Sequence, residues 1–135
     1  MVNPRRELDP EAFSEAVEAD GCDLVVLAGF LRFLPILDRW FRRVLNIHTS
    51  LLPAFSGKGC CGDRVHRAAL DRGVRWSGCT VHYADNGYDN GPILVQRRVP
   101  VREDDTVESL AARVFDEEQR ALPEAIRLHA EAARA

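Results

Sequence analysis

Lysine is almost missing from this chain: Lys58 is the single one among 18 basic residues, and the arginine excess reads as codon bias without mechanistic content. Surplus positive charge is missing too. A formal charge of −3 and a pI near 5.8 give no basic field of the kind that marks a nucleic-acid binder. No apolar run approaches the roughly 20 residues that span a bilayer, and no apolar stretch follows the charges between Met1 and Glu7 as a signal peptide would require. Neither export nor membrane insertion is expected. The four cysteines, Cys22, Cys60, Cys61 and Cys79, form no C-x-x-C pair and no small disulfide framework. Adjacent Cys60 and Cys61 are a poor pair for one metal, and a reduced, cytoplasmic protein is the expectation. There is also no P-loop, no G-x-G-x-x-G and no G-x-S-x-G, and no H-x-x-x-H that would let His48, His66 and the cysteines build a zinc site. No metal is expected.

What the chain does have is an ordinary globular composition, 46% apolar and 29% charged over 135 residues, enough for one domain with one core. Asp9-Pro10-Glu11 reads as an N-cap, a first-turn proline and an acidic first turn, opening a helix that carries Phe13 and Val17 and stops at Gly21. Asp23 to Phe30 is a short continuous apolar run suited to a parallel strand buried on both faces, with Gly29 leaving room for a close approach. Residues 31–43 read as a loop at Pro35 and a short amphipathic helix, and Val44 to His48 as a second strand. A glycine-rich loop then leads to a brief helix from Asp63 to Arg72, closed by Gly73. Trp76 to Tyr83 and Ile93 to Val99 are β-type runs whose connection is too short for a parallel crossover, so they should pair antiparallel. Asp105 with Glu108 resembles a capping box for a helix bearing Val107, Leu110, Ala111, Val114 and Phe115, and Pro123 should begin a last helical segment.

Two places could carry chemistry. Asn46 and His48 lie two apart on a strand, so an amide and an imidazole share one face at its C-terminal end, where open α/β sheets bind ligands. The amide can donate to a developing oxyanion, and the imidazole can trade a proton near neutral pH. Alone, such a pair is also compatible with a structural role. Asp89, in the segment Asn86 to Pro92, reads either as an Asx-turn residue or as a site carboxylate. His66, His82 and His129 read as structural or solvated.

Taken in order, Asp23-Leu-Val-Val-Leu-Ala-Gly-Phe-Leu-Arg32, Leu45-Asn-Ile-His-Thr-Ser-Leu-Leu-Pro53, Gly78-Cys-Thr-Val-His-Tyr83 and Tyr88-Asp-Asn-Gly-Pro-Ile-Leu94 resemble phosphoribosylglycinamide formyltransferases. The resemblance runs from about Asp9 to Arg127. It implies an α/β formyltransferase fold, a partial doubly wound and mostly parallel sheet with a C-terminal antiparallel hairpin and C-terminal helices. It further implies transfer of a formyl group from 10-formyltetrahydrofolate to the amine of glycinamide ribonucleotide in purine synthesis, without a metal. The family's Asn, His and Asp fall on Asn46, His48 and Asp89. Its folate-binding segments fall on Arg32, Phe33 and Leu34 and on Ala84, Asp85, Asn86, Gly87 and Tyr88, and its ribose-contacting glutamate on Glu118.

The resemblance also sets out differences. The family opens with a strand, a Gly-Ser-Asn loop and a helix whose N-terminus holds the substrate phosphate, for which this sequence has no counterpart. Residues 1–135 are therefore expected to be the C-terminal portion of a formyltransferase domain, with a missing N-terminal segment or a homo-oligomer completing it. Phe115 stands where relatives often place a polar or basic group. Rival readings are methionyl-tRNA formyltransferase, which would add a basic C-terminal domain, formyltetrahydrofolate hydrolase, and a non-catalytic folate-binding or oligomer-forming remnant.

Overall fold

The computed structural model describes residues 9–29, 34–57, 59–87 and 89–134. Helix α1 is Pro10–Ala19, capped by the Asp9 carboxylate on the Glu11 amide at 3.0 Å as the sequence predicts. Its inner face holds Ser14, whose hydroxyl accepts from the buried Trp40 indole, while Arg39 spans Glu11 and Glu18. Trp40 belongs to a single 3-10 turn, Asp38–Trp40, in place of the expected amphipathic helix. Arg42, at φ +58, takes the left-handed conformation that no right-handed helix can continue through.

Four strands follow in chain order across one sheet: β1 (Val25–Leu27), β2 (Val44–His48), β3 (Trp76–Tyr83) and β4 (Ile93–Pro100). The sheet is mixed. β1 and β2 pair in parallel, and β3 runs antiparallel to both β2 and β4. The expected hairpin is therefore present, and the parallel part of the described sheet is the β1–β2 pair. β1 is shorter than the apolar run and only half-buried on each residue, because it lies at an edge of the described sheet and is not covered on both faces. Helix α2, Asp63–Arg72, connects β2 to β3 and ends at Gly73, whose φ of +77 supplies the left-handed cap.

Helix α3 runs unbroken over Val107–Arg134 with Pro123 inside it, so the proline does not start a separate segment. Buried Leu110 and Val114 before the proline, and Ala121 and Ala125 around it, hold one face on the sheet, and this packing overrides the local penalty. The cap also differs from expectation. Thr106 and Ser109 exchange backbone and side-chain bonds at 2.9 and 3.1 Å, while Asp105 is taken up by both guanidinium nitrogens of Arg113 at 2.8 Å. Asp105 holds its charge well below the usual carboxylate range because of that arginine. The core joins α3 to the sheet through Leu45, Cys79, Val81, Val95, Leu110 and Val114. Burying each large aliphatic side chain there contributes roughly 2 kcal/mol. Among the described residues no helix is long and apolar enough to cross a membrane.

Candidate active site

Strand β2 alternates as its sequence suggests, and Asn46 and His48 both open onto a cavity of about 440 Å3, within the usual size for small-molecule sites. Across the ladder, Asn46 pairs with His82 and His48 with Thr80. These pairings fix the two side chains from behind. Thr80 donates to the Ser50 carbonyl at 2.7 Å and accepts from the Leu52 amide at 3.1 Å, while Gln96 on β4 holds the Leu52 carbonyl at 3.0 Å. The turn so clamped brings the Phe55 carbonyl to 2.9 Å from His48 Nε2. A carbonyl only accepts, so Nε2 donates there and Nδ1 is left facing the cavity floor.

Asp89 meets that nitrogen. Its Oδ2 lies 3.5 Å from His48 Nδ1 and 3.4 Å from the Gly57 amide, and its side chain is 14% exposed. Its backbone, at φ +52, is left-handed, a conformation that aspartate tolerates better than most residues. Gly91 makes the turn possible by close approach: a Cβ there would sit 1.6 Å from the Tyr83 carbonyl oxygen. Asp85 accepts from the Gly87 amide at 2.8 Å, an Asx turn that shapes the same loop.

His82 completes the floor and is the residue that sequence reasoning missed. It is 2% exposed, with Nδ1 3.0 Å from the Tyr83 carbonyl and Nε2 3.2 Å from Asn46 Nδ2. The carbonyl requires the proton on Nδ1, so Nε2 offers a lone pair and Asn46 must turn its amide nitrogen toward it. Burial pushes the His82 pKa down, consistent with that neutral ring. Its Nε2 is also 3.8 Å from Asp89 Oδ1. The signal for His82 was available only through the β2–β3 register, which places it opposite Asn46.

The other expected positions divide. Leu34, Ala84, Asp85 and Gly87 line the cavity, as do Gly29 at the end of the first apolar run and Glu118 from α3. Asn86 instead clamps Ile36, accepting from its amide at 2.8 Å and donating to its carbonyl at 3.3 Å. It joins two cavity loops from outside. Arg32, Phe33 and Tyr88 lie outside the described residues. Burial raises the Glu118 pKa, and this carboxyl also borders a second, more open cavity of about 380 Å3 beside Phe115 and His66. His66 is 4% exposed, its Nδ1 has no partner among the described residues, and burial lowers its pKa. No group of three His, Cys, Asp or Glu among the described residues is arranged to hold a metal ion.

An amide donor, an imidazole and a carboxylate thus share one half-enclosed floor, a set suited to stabilising an oxyanion and moving a proton. Comparison with known proteins points the same way. The sequence model described as Formyl transferase matches residues 2–126. The chain is 52% identical over 106 residues to a protein of Vigna unguiculata named phosphoribosylglycinamide formyltransferase, chloroplastic, a match covering 77% of this chain and 34% of that protein. The crystal structure of glycinamide ribonucleotide transformylase 1 from Symbiobacterium toebii superposes with a TM-score of 0.84 and 45% identity, over 97% of this chain and 62% of that one. A formyltetrahydrofolate deformylase from Pseudomonas syringae superposes with a TM-score of 0.80 and 33% identity, over 91% of this chain and 40% of that one. The chain therefore spans less than two thirds of the length of each of these relatives, from 34% to 62%.

Proposed function

Because the chain belongs to the formyl transferase family, we propose that it transfers a formyl group from 10-formyltetrahydrofolate to the amine of glycinamide ribonucleotide, in the cytoplasm. The observation that carries this reading is the convergence of Asn46, His48 and Asp89 on one cavity, with His48 Nδ1 3.5 Å from Asp89 Oδ2. Attack of the amine nitrogen on the formyl carbon makes a C–N bond and a tetrahedral oxyanion. The Asn46 amide, oriented by His82, donates to that oxygen. His48, paired with Asp89, takes up the proton lost by the incoming amine. Collapse of the tetrahedral intermediate then breaks the bond between the formyl carbon and the folate nitrogen, and that nitrogen receives the proton as it departs. The folate would lie against Leu34, Ala84, Asp85 and Gly87, with Asn86 holding Ile36 behind them, and the family resemblance adds Arg32, Phe33 and Tyr88 to its contacts. Glu118 would take a nucleotide hydroxyl.

The test is an assay with both substrates, following loss of 10-formyltetrahydrofolate and formation of the formylated nucleotide. Transfer by the parent chain and its loss in His48→Ala is the expected outcome; folate binding without transfer at saturating substrate would favour the non-catalytic remnant. The likeness to a deformylase keeps hydrolysis as a second reading. Rapid formate release without any amine acceptor would establish that alternative.

A further inference from the structure

The mechanism above uses neither Cys60 nor Cys61, yet both line the cavity that holds Asn46, His48 and Asp89. Each is a free thiol of intermediate exposure, on a loop bracketed by Gly59 at φ +86 and Gly62 at φ +58. The other two cysteines are placed differently. Cys79 is fully buried in the core with its thiol pushed up to about 12, and Cys22 lies exposed after α1, where it does not line this cavity. A thiol reacts only where a reagent can reach it, and the cavity supplies that access to both Cys60 and Cys61.

We propose that Cys60 and Cys61 form a thiol-modification site in the wall of the cavity, which reacts with small disulfides such as glutathione disulfide and thereby closes the cavity to its ligand. In the exchange, a cysteine sulfur loses its proton to water and attacks one sulfur of the small disulfide. A new S–S bond forms, the reagent's own S–S bond breaks, and the other half leaves as a thiol after taking up a proton. The cysteine is oxidised and half of the reagent is reduced. Expulsion of the adduct by the neighbouring thiol is disfavoured by geometry: consecutive Cα atoms are about 3.8 Å apart, below the roughly 4.4 Å at which ordinary disulfides begin. The adduct therefore persists until an external thiol removes it. A tripeptide tethered in a cavity of about 440 Å3 leaves little room for a second occupant.

Closure rests on the folate reading; the modification itself does not. The experiment treats the reduced, full chain with glutathione disulfide under native conditions, locates the adduct by peptide mass mapping, and titrates a folate analogue by calorimetry before treatment, after it, and after re-reduction. The expected result is a glutathione mass on the peptide containing Cys60 and Cys61, no modification of Cys79, and affinity weakened by roughly tenfold or more and restored by the reductant. Cys22→Ala, which removes the exposed background thiol, should leave that pattern intact. Modification confined to Cys22 would overturn the site, and an adduct on the Cys60–Cys61 peptide with affinity changed by less than about twofold would overturn closure. If the reduced chain binds no folate at all, the functional reading fails and the mass map alone decides the thiol site.

Discussion

In the proposed reaction Asn46 depends on a neighbour that takes no part in the chemistry. With His82 Nε2 accepting from its amide, Asn46 has one orientation in the cavity wall and a second N–H free for a ligand oxygen under the proposed reaction. Asn46→Ala should lower kcat by roughly 100- to 1,000-fold, the usual effect of losing a preorganised donor. His82→Leu should lower kcat by about tenfold with little change in folate affinity, since it frees the amide to rotate without removing it. Equal losses in kcat and affinity would instead mean that His82 shapes the folate pocket. For His48→Ala and Asp89→Ala, steady-state kinetics should show kcat falling by roughly 100-fold or more, well beyond the loss in folate affinity. Acid should also weaken the fold. His66 and His82 are buried and their folded pKa values lie below the ordinary 6.5, so the unfolded chain takes up protons that the folded chain refuses. Their stabilising contribution is complete above that value and declines as pH falls through it, so Tm should drop between about pH 7.5 and pH 5.5. His66→Leu should flatten the decline, and an unchanged slope would show that His66 does not contribute. The convergence of Asn46, His48 and Asp89 on one cavity was legible because family-like spacing surrounds them. His82 was not, because its place depends on which strand lies opposite, and a strand's own residues do not state that.

The turns and caps show the same division. Asp9, Pro10 and Gly73 act locally, through one side-chain bond, one fixed φ and one left-handed residue, and each stands where the sequence puts it. The start of α3 was shifted by one residue because Asp105, the better cap by composition, is drawn away by Arg113, a residue two turns further along. Thr106→Ala should therefore cost about 1 kcal/mol in urea denaturation, as loss of a working cap does. Gly91→Ala should be harsher. A Cβ at that position collides with the Tyr83 carbonyl, so the loop carrying Asp89 must move, at a cost of roughly 1–3 kcal/mol together with much of the activity. Wild-type stability with wild-type kcat in Gly91→Ala would show that the loop yields without disturbing the site.

For the molecule as a whole, the core between α3 and the sheet makes the site possible, because β2 and β3 present Asn46, His48 and His82 on the side away from packing residues such as Leu45 and Val81. Leu110→Ala, in the middle of that contact, should cost roughly 2–5 kcal/mol. The α/β character and the hairpin were readable from apolar runs and a short connection. The antiparallel return of β3 against β2 was not, since a helical connection usually returns a strand in parallel and only the assembled sheet shows otherwise. Pro123 has a further effect that belongs to motion. Lacking an amide proton, it leaves the carbonyl four residues earlier, on exposed Gln119, to water, so α3 contains a joint in its hydrogen-bond ladder. Beyond it the helix is held by Ala125 and by the Tyr83 hydroxyl on His129 at 2.8 Å. Amide exchange should then divide the helix into two populations: protons before the joint released only when the entire fold opens, and protons after it released by a separate, cheaper swing of the terminal arm.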